Sequence, residues 1–203
     1  MKIDGGLGGE SGFDGIKESC QQQEELGYDG LWVPETAHDP FTMLPLMAEA
    51  TENVELGTGI VVGFARNPMD LAYSANDIQL LSKGRFTLGL GSQIKPHITK
   101  RFSMEWSKPA ARMREMILAT KAIWNSWNTG EKLDFRGDFY QHTLMTPFFH
   151  PGENPYGAPR MALAGVGPLM TEVAGETCDV FLAHGFTTEK YLREETIPAL
   201  ERG

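Results

Sequence analysis

Cysteine is scarce in this chain, and its two cysteines, Cys20 and Cys178, form no CxxC pair. A disulfide framework is therefore excluded, and we expect reduced thiols in a cytoplasmic protein. Basic residues are also few, since 18 lysines and arginines stand against 27 acidic residues, for a net charge of −9. Because a phosphate backbone requires a basic surface, this balance argues against nucleic acid and anionic membrane as partners.

Several familiar motifs are missing as well. No apolar run is long enough to span a bilayer, and the first residues do not have the composition of a signal peptide. The five histidines show neither HxH nor HExxH spacing, so we expect no metal site. A Walker loop, a GxGxxG after the first strand and a GxSxG elbow are all absent, which argues against an NTPase, a Rossmann enzyme and an α/β-hydrolase.

The chain does contain short apolar runs that each end in a small or polar residue and alternate with helical patterns. Such alternation predicts parallel strands joined by helices, an α/β fold of the (β/α)8 TIM-barrel type. About six βα units fit into the chain as a single, incomplete domain (residues 1–203), whereas a closed barrel needs eight, so we expect Gly203 not to end a complete barrel. The predicted strands are residues 2–4, 30–34, 56–62, 86–90, 161–163 and 180–183, with an insertion hairpin at 133–140 before strand five.

Helix starts are marked by residues whose side chains can accept the first free backbone N–H groups. Proline follows two of these residues directly, where its missing N–H costs nothing. A long apolar stripe also predicts a helix that begins near Ser107 and continues to Trp127. The predicted helix starts are a capping box at 11–14, Asp39 before Pro40, Asn67 before Pro68, and Thr188.

Three glycine-containing corners follow strands three, four and five, at residues 57–60, 89–93 and 164–168. One such corner is most simply a tight turn, but three on one face of a barrel favour a ligand that approaches the backbone closely. The last corner leads into a helix that starts at Pro168, and the free N–H groups of a helix start suit a phosphate.

Titratable side chains also follow the strands, at the end where barrel enzymes carry their chemistry. Glu35 comes just after strand two, His97 after strand four and His184 after strand six. Glu35 or His97 could act as a general acid or base, and the alternative is an ordinary solvated carboxylate or surface imidazole.

Taken together, five segments resemble the bacterial luciferase-like monooxygenase superfamily in their order and spacing. Two further segments, PAARMRE and NPYG, are similar to its actinobacterial branch of oxidoreductases that use coenzyme F420, an 8-hydroxy-5-deazaflavin. The five segments are DGLWVPE, LGTGI, ARNP, SKGRFTLGLGS and DFRGDFY.

This resemblance implies a (β/α)8 barrel that holds a flavin or deazaflavin at the carboxyl ends of its strands. A bulge with a cis peptide at Gly59 and Ile60 would back the ring system. The ribityl chain and phosphate would be held after strands four and five. The residues implied there are Gly91, Ser92, Gln93, Ala164, Gly165, Val166 and Gly167.

Departures from the family pattern at two residues limit what is carried over. Some deazaflavin dehydrogenases have a histidine where this chain has Thr36 and a glutamate where it has Ile94, so their sugar-phosphate mechanism is not assigned. The leading hypothesis is a hydride transfer between the deazaflavin and a small organic substrate, with Glu35 and His97 as proton-transfer candidates. The alternatives are an FMN-dependent monooxygenase that inserts one oxygen atom through a flavin peroxide, and a non-catalytic truncated flavoprotein. A homodimer is a further expectation from relatives.

Overall fold

In the computed structural model, which describes residues 1–7 and 12–203, the chain forms a curled, half-barrel parallel sheet with helices on its outer face. The strands of the sheet are β1 (Asp4–Gly6), β2 (Gly30–Val33), β3 (Glu55–Thr58), β4 (Val61–Val62), β5 (Phe86–Gly91), β8 (Arg160–Ala164) and β9 (Val180–Leu182), and β6 (Phe135–Arg136) and β7 (Gln141–His142) form a separate hairpin. The sheet runs in the order β1–β2–β3–β5–β8–β9, and β4 pairs with β5 beyond the end of β3. This architecture confirms the predicted partial TIM-barrel fold.

The helices follow the strands in the expected alternation. Two segments contain π-helical turns, His97–Arg101 and Leu192–Thr196, and the second of these joins the last two helices without a break. No helix among the described residues is long and apolar enough to cross a membrane. The helices are α1 (Ile16–Glu25), α2 (Pro40–Ala50), α3 (Pro68–Leu81), α4 (Pro109–Thr129), α5 (Pro168–Thr177), α6 (Glu189–Tyr191) and α7 (Ile197–Arg202), and short 3-10 turns occupy Gly63–Ala65 and Pro147–Phe149.

Three of the predicted helix caps are present. The Asp39 side chain accepts the N–H of Phe41, and the Asn67 side chain accepts those of Met69 and Asp70. Thr188 caps α6 in the same way. The capping box predicted at 11–14 includes a residue that lies outside the described part of the chain.

Two strand predictions need correction. The first strand is Asp4–Gly6 rather than 2–4, because these three residues pair with β2. The Ile3 N–H donates to the Asp29 side chain instead. The run at 56–62 is two strands, since the backbone leaves the ladder at Gly59 and Ile60, where the peptide bond is cis.

Strand alternation divides the sheet into an outer and an inner face. The outer row Leu31, Leu56 and Phe86 is fully buried against the helices and forms part of the main core. Cys20 of α1 belongs to the same core, and burial raises the pKa of its thiol to about 11. The apolar core therefore lies between sheet and helices, which leaves the inner face for a ligand.

The insertion before β8 is anchored to the long helix α4. The Glu115 carboxylate accepts the backbone N–H groups of Asp138, Phe139 and Tyr140 at 2.9, 2.7 and 2.6 Å. These donors lie in the turn between β6 and β7, so the Arg-Gly-Asp sequence at 136–138 is part of a tight turn that Glu115 holds.

Candidate active site

The inner face of the half-barrel lines a large, open cavity of about 1220 Å³ at the carboxyl ends of the strands. Sites for drug-sized ligands usually occupy about 300–1000 Å³, so this volume leaves room for a cofactor and a substrate together. All nine residues that the sequence suggested for cofactor binding line this cavity: Gly59, Ile60, Gly91, Ser92, Gln93, Ala164, Gly165, Val166 and Gly167.

The bulge between β3 and β4 forms one wall and is fixed on both sides. Towards β2, the Gly59 N–H donates to the Val33 carbonyl and the Ile60 carbonyl accepts the Glu35 N–H, both at 3.0 Å. Towards β5, the Thr58 hydroxyl donates to the Gly89 carbonyl and accepts the Gly89 N–H, both at 2.8 Å. A side chain thus replaces the missing ladder bonds, and the wall stays hydrogen-bonded to both neighbours although the strand is interrupted.

Glycine is required where the bulge meets β5. A Cβ atom at Gly89 would lie 1.9 Å from the Thr58 carbonyl oxygen, and one at Gly91 would lie 2.8 Å from Cγ1 of Ile60. Because neither position can accept a side chain without displacing the bulge, these glycines allow the two backbones to approach each other. Glycine in the corner at 89–93 is therefore required for packing, and the same corner also lies beside the cavity.

The start of α5 forms the opposite wall. Gly167 precedes Pro168 in an extended conformation and gives the helix no side-chain cap. A Cβ atom at Gly167 would meet nothing within 4 Å, so the space beside the helix start is open. An uncapped helix start with open space beside it fits an anionic group such as a phosphate.

A tryptophan that the sequence analysis did not single out for the site lines the inner face. The Trp32 ring lies against Gly57, where a Cβ atom would be 2.4 Å from the ring, and its indole N–H donates to the Asp4 carboxylate at 3.0 Å. Both Trp32 and Asp4 line the cavity, as does Trp106 from the segment before α4. The alternation of β2 could have indicated Trp32, because Leu31 and Val33 point to the helices.

The two proton-transfer candidates lie elsewhere. Glu35 is not among the cavity-lining residues; its carboxylate accepts the Val62 N–H at 2.9 Å and lies 3.2 Å from the Arg66 guanidinium, with its side chain only 8% exposed. His97 is exposed in the π-helical turn after β5 and does not line the cavity either. His184, after β9, does line it. The structure thus brings the nine cofactor-binding candidates together around one cavity, whereas Glu35 and His97 do not line it.

The polar groups that face the cavity are of few kinds. Within residues 1–7 and 12–203, no group of three histidine, cysteine, aspartate or glutamate side chains is placed to hold an ion. The donors that face the cavity are backbone groups, aromatic rings and isolated polar side chains, a set that suits an organic cofactor.

Comparison with known families gives a match to the luciferase-like monooxygenase model over residues 1–203. The chain belongs to this family. The bulged barrel wall and the strand-end cavity described above are therefore features of a luciferase-like protein, and the resemblance inferred from the sequence is confirmed.

Two curated relatives of this luciferase-like chain match it over most or all of its length. An uncharacterised protein of Mycobacterium tuberculosis (strain H37Rv) is 49% identical over 203 residues, which are all of this chain and 59% of the relative. The F420-dependent glucose-6-phosphate dehydrogenase of Amycolatopsis mediterranei is 29% identical over 202 residues, covering 93% of this chain and 58% of the enzyme. The chain thus spans about three fifths of the length of these relatives.

Solved structures share the luciferase-like fold at lower sequence identity. An F420-dependent secondary alcohol dehydrogenase, in complex with an F420-acetone adduct, superposes with a TM-score of 0.82 at 18% identity over 99% of this chain and 63% of its own. The oxygenating constituent of the 3,6-diketocamphane monooxygenase of Pseudomonas putida, a type II Baeyer-Villiger enzyme in complex with FMN, superposes with a TM-score of 0.79 at 17% identity. The match covers 100% of this chain and 63% of that enzyme. The fold therefore occurs with both cofactors.

Proposed function

We propose that this protein is an oxidoreductase in which a hydride passes between coenzyme F420 and a small organic substrate. The observation that carries the proposal is the convergence of three glycine corners, the first of which contains the bulge, on one cavity beside the uncapped start of α5. The curated relatives with an assigned activity, such as the Amycolatopsis enzyme, support F420 over FMN. The fold neighbours support neither cofactor over the other, since both occur among them.

Each wall of the cavity has a part in this proposal. Gly59 and Ile60 would support the ring system, and the first turn of α5 would bind the phosphate of the ribityl chain. When bound, the deazaflavin supplies a carbon that accepts or donates a hydride, while the protein contributes orientation and a water-poor surface. Glu35 and His97 stay predictions as proton-transfer groups. The contacts of Glu35 with Val62 and Arg66 favour a positioning role for its carboxylate.

A fluorescence titration with F420, run in parallel with FMN, tests the proposal. We expect saturable binding of F420, and we expect the Ala164→Leu variant to bind it at least about tenfold more weakly, because the added side chain fills space beside the predicted cofactor residues. The matched control is Ala158→Leu, at an exposed position before β8. A preference for FMN would favour the monooxygenase instead, and binding of neither cofactor would reject the proposed function.

A further inference from the structure

The walls of the cavity carry few charges. Among the described residues that line it, the side chains with a formal charge are Asp4 and Lys95. The Asp4 carboxylate already accepts the indole N–H of Trp32. Lys95 and the imidazole of His184 are thus the basic side chains that this part of the structure offers to a ligand in the cavity.

Arginines that follow the same strand ends are engaged elsewhere. Arg66 contacts both Glu35 and Asp39, at 3.2 and 2.9 Å. Arg101 donates to the carbonyl oxygen of Thr36 at 3.2 Å. Neither arginine is among the cavity-lining residues, so neither adds positive charge to the wall.

Four exposed apolar side chains either line the cavity or stand next in sequence to residues that line it. Ile94, after β5, and Val166, after β8, line the cavity and are 59% and 69% exposed. Leu169, in the first turn of α5, is 67% exposed, and Phe186, whose ring contacts His184, is 92% exposed. Single exposed apolar residues are ordinary, but four at one opening form an apolar rim that marks a surface for apolar ligands.

We infer that the substrate of this site is an uncharged, mainly apolar organic molecule. The inference rests on the proposed function, because it concerns the space that the cofactor leaves. If the start of α5 binds the cofactor phosphate, a substrate with its own phosphate would have one lysine, Lys95, and one imidazole, that of His184, as its basic partners on the described wall. A dianion that gives up water for a wall with so few basic groups loses free energy, whereas an uncharged ligand gains free energy from contact with the rim.

Calorimetric titration with probes of matched size tests this inference. The probes are methyl heptyl ketone, nonanoate, which has the same number of carbons and a negative charge, and glucose 6-phosphate. Each is titrated into the protein with and without F420. We expect the ketone to bind at least about tenfold more tightly than either anion.

A pair of variants locates the binding. Ile94→Asp places a carboxylate on the rim and should weaken ketone binding about tenfold, because the new charge must lose water. Leu144→Asp introduces the same charge at a residue that is 75% exposed on the loop after β7, away from this cavity, and should bind the ketone like the unmodified protein. Equal effects of the two variants would contradict the inference.

The outcomes separate this inference from the proposed function. Binding of F420 together with tighter binding of glucose 6-phosphate or nonanoate than of the ketone would overturn the inference and leave the proposed function standing. Ketone binding that Ile94→Asp weakens, without any binding of F420, would overturn the proposed function and support an apolar ligand site. If the ketone fails to bind under either condition, the inference is rejected.

Discussion

At the scale of single residues, Glu35 shows how one side chain can connect two strands. Its backbone N–H donates to the Ile60 carbonyl and its carboxylate accepts the Val62 N–H, so it contacts the bulge at Ile60 and the start of β4 at Val62. Arg66 balances the charge of this nearly buried carboxylate. The same residue therefore aligns the end of β2 with the bulge that forms the cavity wall.

Removal of this carboxylate should cost stability. We expect Glu35→Ala to lower the free energy of unfolding by about 3 kcal/mol, because the Val62 N–H and the Arg66 guanidinium both lose a partner. Glu35→Gln should cost less, since its amide oxygen can still accept the N–H. Urea denaturation measures both variants, and Glu153→Ala at an exposed position is the control. Equal stability of Glu35→Ala and the control would show that Glu35 is not a structural link.

At the scale of elements, the insertion hairpin depends on α4 more than on its own strands. Its two strands contain two residues each, and an isolated hairpin of this size is marginal in water. The three N–H groups held by Glu115 fix the turn, and the Arg112 guanidinium donates to the Tyr140 hydroxyl at 3.0 Å. A helix thus organises a segment that lacks enough pairing of its own.

We expect Glu115→Ala to release this turn. Hydrogen exchange of the Asp138, Phe139 and Tyr140 amides should become at least about tenfold faster, and the protein should lose about 2 kcal/mol of stability. The control on the same helix is Arg114→Ala, which removes a surface ion pair with Glu176 and should change stability by less than about 1 kcal/mol. Unchanged exchange in Glu115→Ala would mean that the turn is held by other contacts.

At the scale of the whole molecule, acidic residues hold parts of the barrel frame at its amino-terminal end. The Glu24 carboxylate accepts the N–H groups of Glu52, Asn53 and Val54 just before β3. Burial acts to raise its pKa, but these hydrogen bonds outweigh burial and hold the pKa below the ordinary glutamate value. For Glu55, burial is likewise outweighed by hydrogen bonds from Lys2 and Arg160, which lower its pKa.

These depressed pKa values predict acid sensitivity. A carboxylate whose pKa is lower in the folded than in the unfolded state stabilises the fold above about pH 4.3, the ordinary glutamate value, and this stabilisation is lost as the pH falls towards the folded value. We therefore expect the midpoint of thermal unfolding to fall on acidification below about pH 5. Glu24→Gln should flatten this dependence, whereas Glu25→Gln, which removes the neighbouring exposed carboxylate, should not. Identical pH profiles of the two variants would contradict the role of Glu24.

The sequence by itself determined the class of fold and the corners around the cavity. Apolar runs that alternate with helical patterns depend on local periodicity, and the caps at Asp39 and Asn67 depend on neighbouring residues, so both can be recognised along the chain. The glycine corners could be predicted because parallel strands bring their carboxyl ends to one face.

Tertiary structure alone decided which polar groups face the cavity and which are used in packing. Glu35 follows a strand as an active-site acid would, yet its partners come from residues 62 and 66, which only folding brings near. Trp32 and Asp4 meet across β1 and β2, and the apolar rim combines loops after β5, β8 and β9. Such neighbours are distant in sequence, and their contacts depend on strand register and side-chain direction, which local patterns do not encode.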